Sequence, residues 1–139
     1  MTFKLDPRLQ KDTFFVADLP TSRLLLMNDN QYPWFILVPR IAGVSETCQL
    51  SAAQQASVLS ESNAVSQALL DLYTPTTLNV AALGNMVRQL HIHHIARFAE
   101  DKAWPAPIWG QFLSVAYTKN EAHTHINQIL AHAMIKELL

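Results

Sequence analysis

Apolar and polar positions divide the chain into short extended runs and two long helical stretches. Residues 13–17 (Thr-Phe-Phe-Val-Ala) and 23–27 (Arg-Leu-Leu-Leu-Met) read as strands, each stopped by turn formers, Asp18-Leu19-Pro20 and Asn28-Asp29-Asn30. Residues 34–38 (Trp-Phe-Ile-Leu-Val) are continuously apolar, which predicts a third strand buried on both faces. It should form a hairpin with the second across the Asn/Asp-rich loop. Residues 3–12 predict a short lead-in helix or turn. Ser51 followed by Gln54 matches a capping box and opens a helix to about Tyr73, where Thr74-Pro75 stops it. Val58, Val65, Leu69 and Leu72 lie on one face of it. A fourth strand is expected over 77–83, a bend at Gly84-Asn85, an ordered loop over 99–112, and a C-terminal helix after the capping box of Thr118 and Glu121. The whole predicts one α+β domain over 1–139. Its antiparallel sheet has about five strands, with one long helix after strand three and a second at the C-terminus.

The fifth strand is the unusual one. Residues 86–97 hold no Pro or Gly and are crowded with Val, Ile and Leu, yet His91, His93 and His94 fall within four positions. Side chains alternate along a strand, so Gln89, His91 and His93 are expected in one row, roughly 6.7 Å apart, with His94 on the opposite face. A purely structural strand would fill that row with Val or Thr. A single histidine is more often structural than catalytic, and His94 is read as a buried polar residue behind the sheet or at a subunit contact. His123 and His125, two apart on a helix, do not face each other and are read as exposed. His125 and His132 share a face, read as a solvated helix edge.

Composition narrows the options. Half the residues are hydrophobic, and the formal net charge is -1, so no field attracts nucleic acid or an anionic membrane. No apolar run approaches the roughly 20 residues of a membrane span. The opening residues lack the apolar core of a signal peptide. The single cysteine, Cys48, permits no internal disulfide and suits a reducing cytoplasm.

The run Gln89-Leu90-His91-Ile92-His93-His94-Ile95 resembles the signature of the histidine-triad (HIT) family, His-φ-His-φ-His-φ-φ with φ apolar. Two departures stand out: Gln89 replaces the first histidine, and His94 occupies an apolar position. Asn79, Gly84 and Asn85 sit where the family has an Asn, a Gly and an amide, and residues 104–110 (Trp-Pro-Ala-Pro-Ile-Trp-Gly) look like the small bacterial members. The resemblance implies a nucleotide hydrolase or nucleotidyl transferase, with dinucleoside polyphosphates and nucleoside phosphoramidates as substrate classes. It implies no cofactor and a two-fold homodimer. It makes His91 the nucleophile, with His93 beside the phosphate as a donor to a non-bridging oxygen or to the leaving group, as an imidazolium if protonated, and Gln89 as a neutral donor. Asn28 is placed for ribose hydroxyls, or as a turn residue. Asn79, Gly84 and Asn85 are placed about the nucleotide. Arg97 is read either as a substrate cation or as an exposed strand-end residue. Met86 stands where many members carry a phosphate-binding hydroxyl.

Two other readings remain open from sequence. The pocket could bind nucleotide with little turnover, as the Gln89 and Met86 departures suggest. Alternatively His91-x-His93 could hold zinc, but it needs a third ligand, and Gln89 is a poor one. A dimer is expected from the apolar C-terminus, Ile126, Ile129, Leu130, Met134, Ile135, Leu138 and Leu139, which exceeds one helix face.

Overall fold

The computed structural model describes residues 2–139. Helix α1 (Pro7–Asp12) leads into β1 (Thr13–Asp18), β2 (Ser22–Met27) and β3 (Trp34–Pro39). A 3-10 turn (Thr47–Gln49) precedes the long α2 (Ala52–Tyr73); then come β4 (Thr77–Ala82), β5 (Ile92–Arg97), α3 (Lys119–Ala131) and α4 (Ala133–Lys136). The five strands form one sheet in the order β1-β2-β3-β5-β4, and every neighbouring pair is antiparallel. This is the α+β architecture the residue pattern predicts.

β3 lies at the centre, and all six of its residues are buried. Alternation sends them to two different cores. Phe35 and Leu37 face Val65, Leu69, Ile129 and Ile135 of the helical layer. Trp34, Ile36 and Val38 face Leu9 of α1 and the 99–112 loop through Ala103 and Ile108. Both capping boxes are formed: Ser51 Oγ accepts from Gln54 N at 3.1 Å and Gln54 Oε1 from Ser51 N at 2.9 Å, and Thr118 and Glu121 repeat the arrangement. At its far end α2 stops on Thr74, which takes the left-handed conformation at φ 48°.

Three expectations are corrected. First, the fifth strand starts at Ile92, not at Met86. Residues 83–91 form the loop between β4 and β5, because their polar groups bond elsewhere: Leu90 N donates to Val44 O and Arg8 Nη1 to Met86 O. Second, the C-terminal apolar residues mostly serve their own domain. Ile129 and Ile135 are in the core, and Ile126, Leu130 and Leu138 pack against it. The helix also breaks at His132, whose extended backbone divides α3 from α4. Third, His125 is half-buried rather than solvated. Its Nδ1 meets Tyr73 Oη at 2.6 Å, and its ring lies 5.1 Å from that of Tyr117. His132 is not simply solvated either: its Nε2 pairs with Asp71 Oδ2 at 2.7 Å, tying the C-terminus to α2. His123 is exposed as expected. Among the described residues no helix is long and apolar enough to cross a membrane.

Candidate active site

His91 is the last residue of the loop and His93 the second residue of β5, so both reach the face opposite the long helix. Their ring centroids are 4.9 Å apart and nearly perpendicular, at 74°. His91 Nδ1 lies 2.7 Å from Gln89 O. A carbonyl only accepts, so Nδ1 carries the proton and Nε2 holds a lone pair. On His93 the logic inverts. Trp34 Nε1–H donates to His93 Nδ1 at 2.9 Å. An indole only donates, so Nδ1 holds the lone pair and the neutral ring carries its proton on Nε2. Burial, together with the neighbouring His91 and His94, pulls the His93 pKa down to about 3. His93 is therefore a neutral N–H donor near pH 7: the charged form weighed for it is not reached, and the donor nitrogen remains.

Register explains the pairing. His93 lies opposite Ile36, and Trp34 is two residues along β3 on the same face. Trp109, from the loop, sets its ring 5.2 Å from that of His93, and Gly110 at φ 77° turns the chain just after it. These groups line an open cleft of about 600 Å³. Arg8, Leu9, Lys11 and Asp12 of α1 form another part of its wall, and Leu83, Asn85, Met86 and Val87 of the 83–91 loop a further part. A side chamber of about 310 Å³ adjoins it, sharing Lys11, Asp12, Met27 and Trp34 and adding Asn28, Ser114 and Ala116.

A family model described as HIT domain matches residues 8–100. The chain belongs to the HIT family. It is similar to a solved histidine triad protein from Bradyrhizobium japonicum, 40% identical over 95% of this chain and 98% of that one, with a TM-score of 0.93. A histidine triad protein from Marinobacter aquaeolei VT8 is 42% identical over 100% of both chains, at TM-score 0.92. One from Sinorhizobium meliloti 1021 is 38% identical, covering 94% of this chain and 97% of that one, at TM-score 0.92. No curated protein matches the chain. HIT membership carries a general expectation of nucleotide binding, with hydrolase or transferase chemistry in many members.

Within this HIT domain the sequence-derived site residues separate into two groups. His91, His93 and Asn85 meet at the cleft, and Asn28 lines its side chamber. Asn28 Oδ1 accepts from Tyr117 N at 2.8 Å, and its amide NH2 donates to no protein group among the described residues. Gly84 lies just behind the rim, in a small recess with Leu90 and His91, and a Cβ there would meet only ordinary contact at 3.9 Å. Gln89 leaves the histidine row, since its amide bonds to Lys4 and Asp6 instead.

Arg97 and Asn79 do not reach the cleft. Arg97 is buried, bonded through Nε and Nη2 to Asp101 at 2.8 and 3.0 Å, and through Nη1 to Asn79 Oδ1 at 2.7 Å. Its Nη2 also donates to Ala106 O at 2.8 Å, and the rings of Tyr32 and Trp104 flank it. Burial raises the Asp101 pKa, but the Arg97 guanidinium and two backbone N–H groups outweigh it and hold the carboxyl below its usual range. Arg97 thus fastens the Trp109 loop to the sheet. Both readings made from sequence, substrate cation and exposed strand end, fail for the same reason: its carboxylate partner lies four residues on.

Sequence reasoning missed Arg8, Lys11, Trp34 and Trp109. Arg8 and Lys11 are three apart on α1 and so share a face, a readable signal; Trp34 becomes visible only once the β3–β5 register is known. Among the described residues no group of three or more His, Cys, Asp or Glu is placed to hold a metal ion.

Proposed function

We propose that the chain is a nucleotide hydrolase or nucleotidyl transferase working through a nucleotidyl-histidine intermediate on His91. Its substrates would join a nucleoside monophosphate to a leaving group by a phosphoanhydride or phosphoramidate bond, dinucleoside polyphosphates included. The observation that carries this reading is the pair of opposite tautomers at the cleft, with one free nitrogen holding a lone pair and the other a proton.

His91 Nε2 attacks the α-phosphorus, and a P–N bond forms as the bond to the leaving group breaks. The electron pair leaves with that group, as a phosphate anion or as an amine that takes a proton from solvent. Positive charge on the phosphorylated ring is met by Gln89 O at Nδ1. His93 Nε2–H donates to a non-bridging oxygen. Water then attacks phosphorus, the P–N electron pair returns to His91, and the water's proton passes to solvent. Arg8 and Lys11 supply positive charge along the cleft, and the Asn28 and Asn85 amides are available for ribose and phosphate, beside Gly84. Rapid mixing with an adenosine 5′-phosphoramidate, followed by acid quench and peptide mass analysis, tests the reading. A transient adenylyl group on His91 is expected; turnover without any adduct there overturns it.

The second reading, a nucleotide-binding protein with weak turnover, is favoured by Met86, 77% exposed where a hydroxyl is usual. A full burst followed by negligible steady-state rate would select it. Assembly is proposed as a homodimer through the β4 edge of the sheet, where Val80 is 49% exposed, together with α2, where Leu59 is 61% exposed. Sedimentation at micromolar concentration tests it, and a single species at 15.6 kDa overturns it.

A further inference from the structure

The Gln89 side chain bonds to the N-terminal segment at two points. Its Oε1 accepts from Asp6 N at 2.9 Å and its Nε2 donates to Lys4 O at 2.9 Å. The amide thus imitates a strand partner, with one donor and one acceptor side by side. Asp6 is also the cap of α1: its carboxylate accepts from Arg8 N at 2.8 Å, and Pro7 occupies the first turn. Fixing Asp6 therefore fixes where α1 begins. Arg8 returns the tie by donating from Nη1 to Met86 O at 3.3 Å. The result joins two walls of the cleft, Arg8, Leu9 and Lys11 on one side and Asn85, Met86 and Val87 on the other. The same residue's main-chain carbonyl sets the His91 tautomer. Among the described residues Arg8 and Lys11 form no ion pair with a carboxylate.

We propose that Gln89 is a positioning residue, a clip that holds the N-terminal segment on the histidine loop so that α1 presents Arg8 and Lys11 to an anionic nucleotide. This rests on the nucleotide reading above. It also accounts for the departure from the family pattern. The two nitrogens of an imidazole diverge and cannot meet neighbouring backbone N–H and C=O groups side by side as a primary amide does. Gln89→His, which restores the family residue, is therefore expected to lower activity.

Gln89→Met keeps side-chain length and removes both bonds. Hydrogen exchange in the free protein should speed up at the Asp6 amide and through α1. With adenosine 5′-phosphoramidate, KM should rise about tenfold while kcat changes less than about threefold, since two neutral hydrogen bonds are lost and the carbonyl on His91 remains. Gln89→Glu adds a pH signature. Its protonated acid can still donate to Lys4 O, so KM should approach the wild-type value in acid and climb as the carboxyl ionises, a trend absent from Gln89→Met. Unchanged exchange at Asp6 in Gln89→Met overturns the clip. Faster exchange with unchanged KM overturns the positioning role. Should the wild type turn over no phosphoramidate, the nucleotide reading falls separately. Exchange then decides the clip alone, faster at Asp6 supporting it and unchanged overturning it.

Discussion

His93 and His94 are adjacent on β5 and face opposite sides of the sheet, and the contrast between those sides separates structure from chemistry. Both rings are buried, and burial pushes both pKa values down, to about 3 and about 4. On the helical side His94 is fully bonded: Nδ1 lies 3.1 Å from Ile92 O, and Nε2 meets Ser62 Oγ of α2 at 2.7 Å. On the cleft side His93 uses Nδ1 on Trp34 and leaves Nε2 open. A buried histidine with a depressed pKa is thus not diagnostic by itself; an unoccupied nitrogen facing a cavity is. The two sides also differ in cover. α2, α3 and α4 seal one, whereas α1 and the 99–112 loop only partly close the other.

The contrast breaks most plainly if function and stability fail together. His91→Ala should lower phosphoramidate turnover at least about 10³-fold with its melting curve nearly unchanged. His94→Ala should lose about 2–4 kcal/mol of stability, by cavity formation and an unpaired Ser62, while its folded fraction keeps most of its activity. Comparable activity losses per folded molecule in both variants would erase the distinction. On the cleft side, Arg97→Met should cost about 3–5 kcal/mol in urea unfolding, because the Asp101 carboxylate is left buried without its partner. A loss under about 1 kcal/mol would mean that Asp101 escapes to water. Trp34→Phe removes the N–H that fixes the His93 tautomer. We expect kcat/KM to fall by the equivalent of about 1–3 kcal/mol, with nucleotide affinity less affected; an unchanged kcat/KM would show that the tautomer does not matter.

The last test is in acid. His93 and His94 have folded pKa values of about 3 and about 4, below the ordinary 6.5. As pH falls through that ordinary value the unfolded chain takes up protons that the folded chain refuses. The stability these two contribute is therefore complete above it and is lost as pH drops toward their folded values. His94→Leu should flatten the slope of stability against pH between those limits by one proton, about 1.4 kcal/mol per pH unit. An unaltered slope would show that His94 does not titrate as its burial implies.

Much of the fold was legible because it follows from periodicity and caps. The continuous apolar run of β3, the two capping boxes and the parity that parts His91 and His93 from His94 all depend on local sequence. The rest depends on partners far away in the chain. Nothing local shows that Trp34 meets His93, since that is a matter of strand register. Residues 86–91 look like strand because Met86, Val87 and Leu90 are interspersed with polar residues and no Gly or Pro interrupts them, yet the N-terminal segment and Val44 compete for their hydrogen bonds. Arg97 was misread although Asp101 stands four residues on, because an interrupted helix or loop gives that spacing no fixed meaning. Asn79, placed at the nucleotide by resemblance, follows Arg97 inward.

The tie between Gln89 and the N-terminal segment also has a temporal side. It joins residues 83 and 85 apart in the chain, and the Asn28–Tyr117 bond at the side chamber joins residues 89 apart. The β1–β2–β3 meander needs only short loops and can form first, whereas contacts this distant must wait for the chain between them to be made and ordered. During synthesis α1 and three strands emerge before Gln89 exists. The cleft is consequently among the last parts of the molecule to be completed, and a partly folded chain holds its three-stranded meander before it holds a site.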